Sequence, residues 1–367
     1  MADHPYKSLP AYCFWRASVA KPPLADIDPV VEGKFKIAPT DRVVTAGSCF
    51  AQHIARHLVS AGFNFHVTET PHPLVAQLDV ARYGYGVFSA RYGNVYTSRQ
   101  LVQLIKRAYG SFVPDEDVWA REDGRWVDPF RPQIQPHGFS SPEELRLDRA
   151  HHLSAVRRAI EELDVFVFTF GLTEAWLSRS DGAAYPICPG VAGGNFDEAK
   201  YTFVNLNVLD VKRDMEIAID LIRAKNPRAR FVLTVSPVPL IATVEDKSVI
   251  VSTTYSKSVL RVVAEELTAA RSYVAYFPSY EIITGNFTRG QYYAEDLREV
   301  TAAGVEHVMR LFMKHYADLS GVRSLPAIER DPTTETAEGH LGSMQKLAAV
   351  ICDEEALDPR SAQQAAA

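Results

Sequence analysis

Ser48 and Cys49 stand side by side in VVTAGSCFAQHIARHL, residues 43–58. The run reads as a buried strand that breaks at Gly47 and restarts as an amphipathic helix. A glycine at the break lets the backbone bend, and the next side chains then project from a helix N-terminus. Unpaired amides and the helix dipole favour negative charge there. A thiolate at Cys49 is therefore stabilised, and an acyl oxyanion can be held. The ordinary fate of a cysteine is burial as an inert thiol. Its place at a strand end is what singles Cys49 out.

Three other stretches occupy expected strand ends: GLTEAW (171–176), SPVPL (236–240) and AEDLRE (294–299). Ligands of open parallel sheets bind beyond the carboxyl ends of the strands, so the four turns are expected to ring one cleft. His72 in TETPHPL and His137 in PHGFSS lie in proline-bounded loops that can fold over those ends. His53, His57, His151, His152, His307 and His315 fall on helices and are expected to pack or face solvent. Ser256 in TTYSKSVL is read as a helix cap, not as half of a Ser/Lys pair. No His, Asp or Glu group has metal-ligand spacing, and no metal is expected.

The positioning elements alternate. Strands are expected at RVVTA (42–46), FNFHVTE (63–69), DVFVFTFG (164–171), RFVLTVSP (230–237) and YVAYFPSYEII (273–283). Helical spacing covers 50–62, 98–109, about 148–163, the run VKRDMEIAIDLIRAK before Pro227, SKSVLRVVAEELTAARS and TAAGVEHVMRLFMKHYA. Residues 110–150 and 178–207 are broken by prolines and glycines and read as long loop insertions. Strand–helix alternation implies parallel βαβ units, hence a three-layer α/β sandwich with a central parallel sheet. Residues 1–40 are expected to be an arm packed on the domain and 41–320 the α/β domain. Residues 321–367 are expected to form a C-terminal helix and flexible tail.

The 367 residues are 47% hydrophobic, enough for a sizeable core, and the net charge of −6 gives no reason to expect nucleic acid or an anionic membrane as partner. No apolar run approaches the roughly 20 residues that span a bilayer, and the first residues lack a signal pattern. A cytoplasmic location is the default. The four cysteines (Cys13, Cys49, Cys188, Cys352) form no CxxC pair and read as free thiols.

GSCFA at 47–51, with RYGNVYTSRQL, FTFGLTEAW, LTVSPVPL, TYSKSVLR and YFPSYEI, resembles the GSCFA family of the SGNH/GDSL hydrolase-like superfamily along the whole chain. The resemblance implies an SGNH-type, flavodoxin-like sheet. Superfamily enzymes carry their nucleophile as the third residue of a Gly-Asp-Ser block. An ungapped match places Gly47 on the Gly, Ser48 on the Asp and Cys49 on the nucleophile. Gly93 and Asn94 are the candidates for the second block, which supplies an amide to the oxyanion. The third block, Gly-x-Asn-Asp, falls on Gly171, Leu172, Thr173 and Glu174, with the Thr173 hydroxyl in place of the Asn side chain. The fourth, Asp-x-x-His, falls on Asp296 and Glu299, with a carboxylate where the superfamily has its base.

A carboxylate of pKa about 4.3 is a poor base for a hydroxyl, but it can take a proton from an acidified thiol; otherwise His137 or His72 must reach the cleft. The resemblance implies an O-acyltransferase or esterase acting through an acyl intermediate on Cys49, with a small-molecule or carbohydrate substrate. Polysaccharide modification occurs among its wider relatives. No cofactor is expected to be bound, and acyl-CoA is the candidate co-substrate. The alternative is a catalytically degenerate binding protein, for which the missing His and the Asn-to-Thr change speak.

Overall fold

The computed structural model describes residues 4–72, 80–318 and 353–357. Four strands make the central sheet: β1 (Val43–Gly47), β4 (Val165–Phe170), β8 (Arg230–Val235) and β9 (Val274–Tyr276), all parallel and in that spatial order. Gly47 pairs with Thr169 and Phe170 with Val235, so the carboxyl ends of the first three strands finish together.

Period-two burial explains the layers. In β4, Phe166, Phe168 and Phe170 enter one hydrophobic cluster while Val165 and Val167 enter another across the sheet. On the first face lie α2 (Ser98–Ala108), α3 (Pro142–Glu162), α4 (Val208–Lys225) and α5 (Val249–Ala270); on the second lie α1 (Ala51–Ser60), α6 (Ser279–Thr284) and α7 (Ala302–Tyr316). Each fully buried Leu or Phe in these clusters contributes roughly 1.5–3 kcal/mol. The result is a three-layer α/β sandwich.

The strand expected at 63–69 shrinks to one parallel bridge, Phe65 to Val43. The chain leaves the sheet because Thr68 bonds instead to the Ser89 and Ala155 carbonyls. With Phe65 counted, the order is 2-1-3-4-5, and its direction reverses between β1 and β4. That reversal is where doubly wound sheets open a crevice. The strand expected at 273–283 is also cut short, since Pro278 ends it and α6 begins at Ser279.

Neither insertion is a plain loop. β2 (Trp119–Ala120) and β3 (Trp126–Val127) form a hairpin, and α3 starts at Pro142 behind a Ser141 cap. β5 (Glu174–Ser178), β6 (Ala184–Tyr185) and β7 (Tyr201–Asn205) form an antiparallel sheet in the order β6-β5-β7. The two insertions share a small core of Trp119, Val127, Tyr185 and Tyr201. Short strands with few β-branched residues hid this sheet from sequence patterning.

Beneath the first insertion lies a buried lattice of charge. Asp128 accepts from Arg131 and Arg149, Asp148 from Arg91 and Arg131, and Asp117 from Arg146 and Arg149. Glu69 accepts the Arg91 amide at 2.7 Å and lies 2.7 Å from His152 Nδ1. In the N-terminal arm residues 4–17 are exposed, and packing starts with Ile27 and Ile37. Ile37 bridges to Ala317. The expected C-terminal helix and tail lie outside the described residues apart from 353–357, as does Cys352.

Candidate active site

Gly47 ends β1 with φ +137, and a Cβ there would lie 2.3 Å from the Thr169 carbonyl oxygen. Only glycine lets β1 and β4 close at this point. The Ser48 amide donates to that same carbonyl at 3.0 Å, and the chain then turns into α1. The amides of Ala51, Gln52 and His53 reach back to Ser48, Cys49 and Phe50. Among the described residues no backbone carbonyl takes the amides of Cys49 or Phe50. Two donors at the positive end of a helix are thus available to an oxyanion.

Across from this turn, Val95 and Tyr96 form a strap over the strand ends. The Val95 amide donates to Gly47, and the Tyr96 carbonyl accepts from Gly171 and Leu172. A Cβ on Gly171 would press on Tyr96 and Ser48 at 3.0–3.1 Å, so this glycine keeps the strap close.

A narrow pocket lies between these parts, lined by Ser48 and Cys49, Tyr96, Gly171 and Leu172, Ser236, Val238 to Leu240, Lys257 and Glu354. Cys49 is 2% exposed. The Ser48 hydroxyl is buried with no hydrogen-bond partner among the described residues. Ser48 and Cys49 therefore share the pocket with the end of β4 and the turn after β8.

The side chain that gives the pocket its chemistry is Lys257. It sits in the middle of α5, 2% exposed, and its Nζ donates to the Gly171 carbonyl at 2.6 Å. Burial lowers its pKa to about 8, against the opposing pull of Glu354 and Cys49. The preceding Ser256 accepts from the Thr173 amide at 3.0 Å, so consecutive residues of α5 clasp the 171–173 turn. Ser256 is not a cap, because α5 begins at Val249 behind Ser248.

The remaining predicted residues are placed as follows. Thr173 is fully buried and its hydroxyl donates to Asn205 at 2.6 Å, away from the role of oxyanion donor. The Gly171 amide is taken by Tyr96. Gly93 and Asn94 line a different pocket, with Gln52, Phe130 and Arg131. Glu174 is half-buried and accepts from Thr243 at 2.8 Å. Burial, helped by Glu245 and Glu354, pushes its pKa up to about 6 despite that hydrogen bond.

Asp296 and Glu299 are both exposed. Asp296 accepts the amides of Arg298 and Glu299 at 3.0 Å, fixing a tight turn in which Leu297 takes φ +55. That turn sends Arg298, not Glu299, to the pocket. Its Nη2 donates to Glu354 at 2.9 Å and its Nε to the Pro239 carbonyl at 3.3 Å. The side chains of His72 and His137 are exposed. The structure thus supplies no superfamily base at residue 299 and puts a lysine beside Cys49.

Glu354 and its partner Arg298 escaped sequence reasoning, and Lys257 enters it only as half of a Ser/Lys pair that is set aside. Lys257 did leave a signal. With Leu260, Ala264 and Leu267 it keeps the inward spacing of α5, so a charge stands on an apolar stripe. Among the described residues no three His, Cys, Asp or Glu side chains gather to hold a metal, and no helix is long and apolar enough to cross a membrane.

The model of the GSCFA family matches residues 42–312. No curated protein matches the chain.

Proposed function

The chain belongs to the GSCFA family, and from that premise we propose that it is a thiol-based acyl-transfer enzyme in which Cys49 carries the acyl group and Lys257 moves the proton. The observation that carries this reading is the buried amine of Lys257 in the same pocket as Cys49, at the reversal point of the sheet, where burial lowers its pKa to about 8. With a pKa of about 8, roughly a tenth of the lysine is neutral at pH 7. A neutral amine can do what an exposed carboxylate cannot.

The neutral Lys257 takes the proton of the Cys49 thiol, leaving a thiolate beside an ammonium. The thiolate attacks the acyl carbonyl carbon of the donor, and the new oxyanion meets the amides of Cys49 and Phe50. Collapse breaks the bond to the donor's oxygen or sulfur, and the Lys257 ammonium protonates that leaving group. The acyl group now sits on sulfur as a thioester. The acceptor is a small-molecule or carbohydrate hydroxyl that gives its proton to Lys257 as it attacks the thioester carbon. Collapse of the second oxyanion breaks the C–S bond, the Cys49 thiolate leaves and takes the proton back from Lys257, and water in place of the acceptor makes the reaction a hydrolysis. Acyl-CoA is the donor proposed, with the reaction in the cytoplasm.

A second reading, a binding protein that kept the cleft, is favoured by the burial of Cys49. Intact-mass spectrometry after incubation with acyl-CoAs and activated esters separates the two. A covalent acyl adduct that maps to Cys49 is the expected result. A reversible rise in melting temperature with no adduct would establish the binding protein instead.

A further inference from the structure

We propose that the Cys49 pocket contains an anion subsite, formed by Arg298 and Lys257, that takes the carboxylate of an acidic ligand, and that Glu354 occupies this subsite as an internal stand-in. The proposal deepens the acyl-transfer reading and rests on it for calling the ligand a substrate.

Both cations are held in place by groups other than Glu354. Arg298 is anchored through Nε to the Pro239 carbonyl, and its backbone is fixed by Asp296. Lys257 is anchored to the Gly171 carbonyl. The subsite is therefore preorganised without its occupant, as a binding site has to be.

The occupant fits poorly for a structural ion pair. Glu354 is 6% exposed and its Oε2 accepts from Arg298 at 2.9 Å, but its Oε1 is buried with no hydrogen-bond partner among the described residues. The Ser48 hydroxyl in the same pocket is likewise without one. Glu69 in the charge lattice also leaves Oε1 without a hydrogen bond, but it has both Arg91 and His152 as partners, whereas among the described residues Glu354 is ion-paired with Arg298 alone. An unpaired acceptor and an unpaired hydroxyl beside two fixed cations are what a displaced ligand would leave behind. Burial raises the Glu354 pKa, opposed by Arg298 and Lys257, so its ionised form is held less firmly than in a matched pair. Glu355, whose Oε1 lies 3.8 Å from Arg298 Nη1, and Glu174 add negative charge nearby. An outside carboxylate must therefore replace Glu354 and cannot join it.

Iodoacetate and iodoacetamide supply the test, because they alkylate a thiol by the same displacement of iodide and differ by one carboxylate. The rates at Cys49 are read by peptide mass spectrometry and divided by those at Cys13, which is exposed. In the unaltered chain Cys49 is expected to be slow with both reagents. In Glu354→Ala, iodoacetate labelling of Cys49 should rise about tenfold or more, as charge-assisted binding beside Arg298 and Lys257 predicts. The iodoacetate-to-iodoacetamide ratio at Cys49 should then exceed the ratio at Cys13 by about fivefold or more, and adding Arg298→Met should return it to the Cys13 value.

Equal ratios at Cys49 and Cys13 in Glu354→Ala would overturn the subsite, whether or not both rates rise. Glu354→Gln, which removes the charge without opening a cavity, gives the same comparison if the alanine variant loses its melting transition. A raised ratio with no acyl adduct supports the subsite and removes the acyl-transfer reading.

Discussion

Two buried polar regions of this molecule treat charge in opposite ways. Under the first insertion, carboxylates and guanidiniums are matched. Burial alone would raise Glu69, but His152 and Arg131 hold it at about 2. Asp128 is held well below the usual carboxylate range by Arg131, Arg149 and Arg107 against the same burial. Burial and Arg131 lower His152 to about 4, so it stays neutral. None of these groups changes protonation near pH 7.

In the Cys49 pocket burial prevails for carboxylate and amine alike. Lys257 falls to about 8 and Glu354 rises, and Glu174, outside the pocket but within reach of the Glu354 charge, rises to about 6. Burial is the leading cause of each, and the partners present do not cancel it. The lattice fixes structure with charges that stay put. The pocket gathers groups able to exchange protons at working pH, the usual mark of a reactive site.

The comparison breaks most completely at Cys49. Cys49→Ala is expected to abolish turnover and the acyl adduct, while Ser48→Ala, which removes a pocket hydroxyl, should weaken both only in part. Full activity in Cys49→Ala with none in Ser48→Ala would exchange their roles.

On the lattice side, Asp128→Ala removes the buried carboxylate that Arg131 and Arg149 share, leaving them only Asp148 and Asp117, and should cost about 3–5 kcal/mol. Urea denaturation should show a lower midpoint at unchanged slope. A loss under about 1 kcal/mol would mean the lattice is not structural.

Lys257→Met sharpens the contrast because activity and stability should part. Loss of the proton carrier is expected to lower turnover by about 10²–10⁴. The folded-state pKa is depressed, so between pH 8 and 10.5 the unfolded chain binds more protons and stability rises with pH. Below about 8 the fold carries the whole penalty of the buried ammonium, up to about 3 kcal/mol. Lys257→Met should therefore be at least as stable as the unaltered chain at pH 7 and lack that alkaline slope. A large destabilisation at pH 7 would make Lys257 a structural residue.

The smallest effect belongs to Glu299. Glu299→Ala should change stability by less than about 0.5 kcal/mol, with turnover within about twofold. A collapse of turnover would restore the base at the position the superfamily pattern assigns.

What was legible in the sequence was local. Gly47, Ser48 and Cys49 are contiguous, and the turn that exposes their chemistry follows from a buried apolar run meeting a helix pattern. The runs that became β4 and β8 were equally plain. The failures came where tertiary contacts outbid local pattern. FNFHVTE has strand-like residues, but Thr68 and Glu69 are claimed by Ser89, Ala155 and Arg91. Lys257 lies on a helix whose start was misplaced by seven residues, from Val249 to Ser256, which turned a buried clasp into an apparent cap. Arg298 and Glu354 meet across a separation of 56 residues, and no period in the sequence records that contact.

The register of the parallel sheet also sets a timetable. Gly47 has no strand partner until Thr169 is made, and the Cys49 turn lacks its lysine until residue 257 and its glutamate until residue 354. At about 5–20 residues per second, roughly 15–60 s separate Cys49 from Glu354 on a growing chain. Through that interval the thiol belongs to a nascent polypeptide with no pocket around it, open to oxidants and to chaperones. The turn that carries Cys49 is translated early and enclosed last.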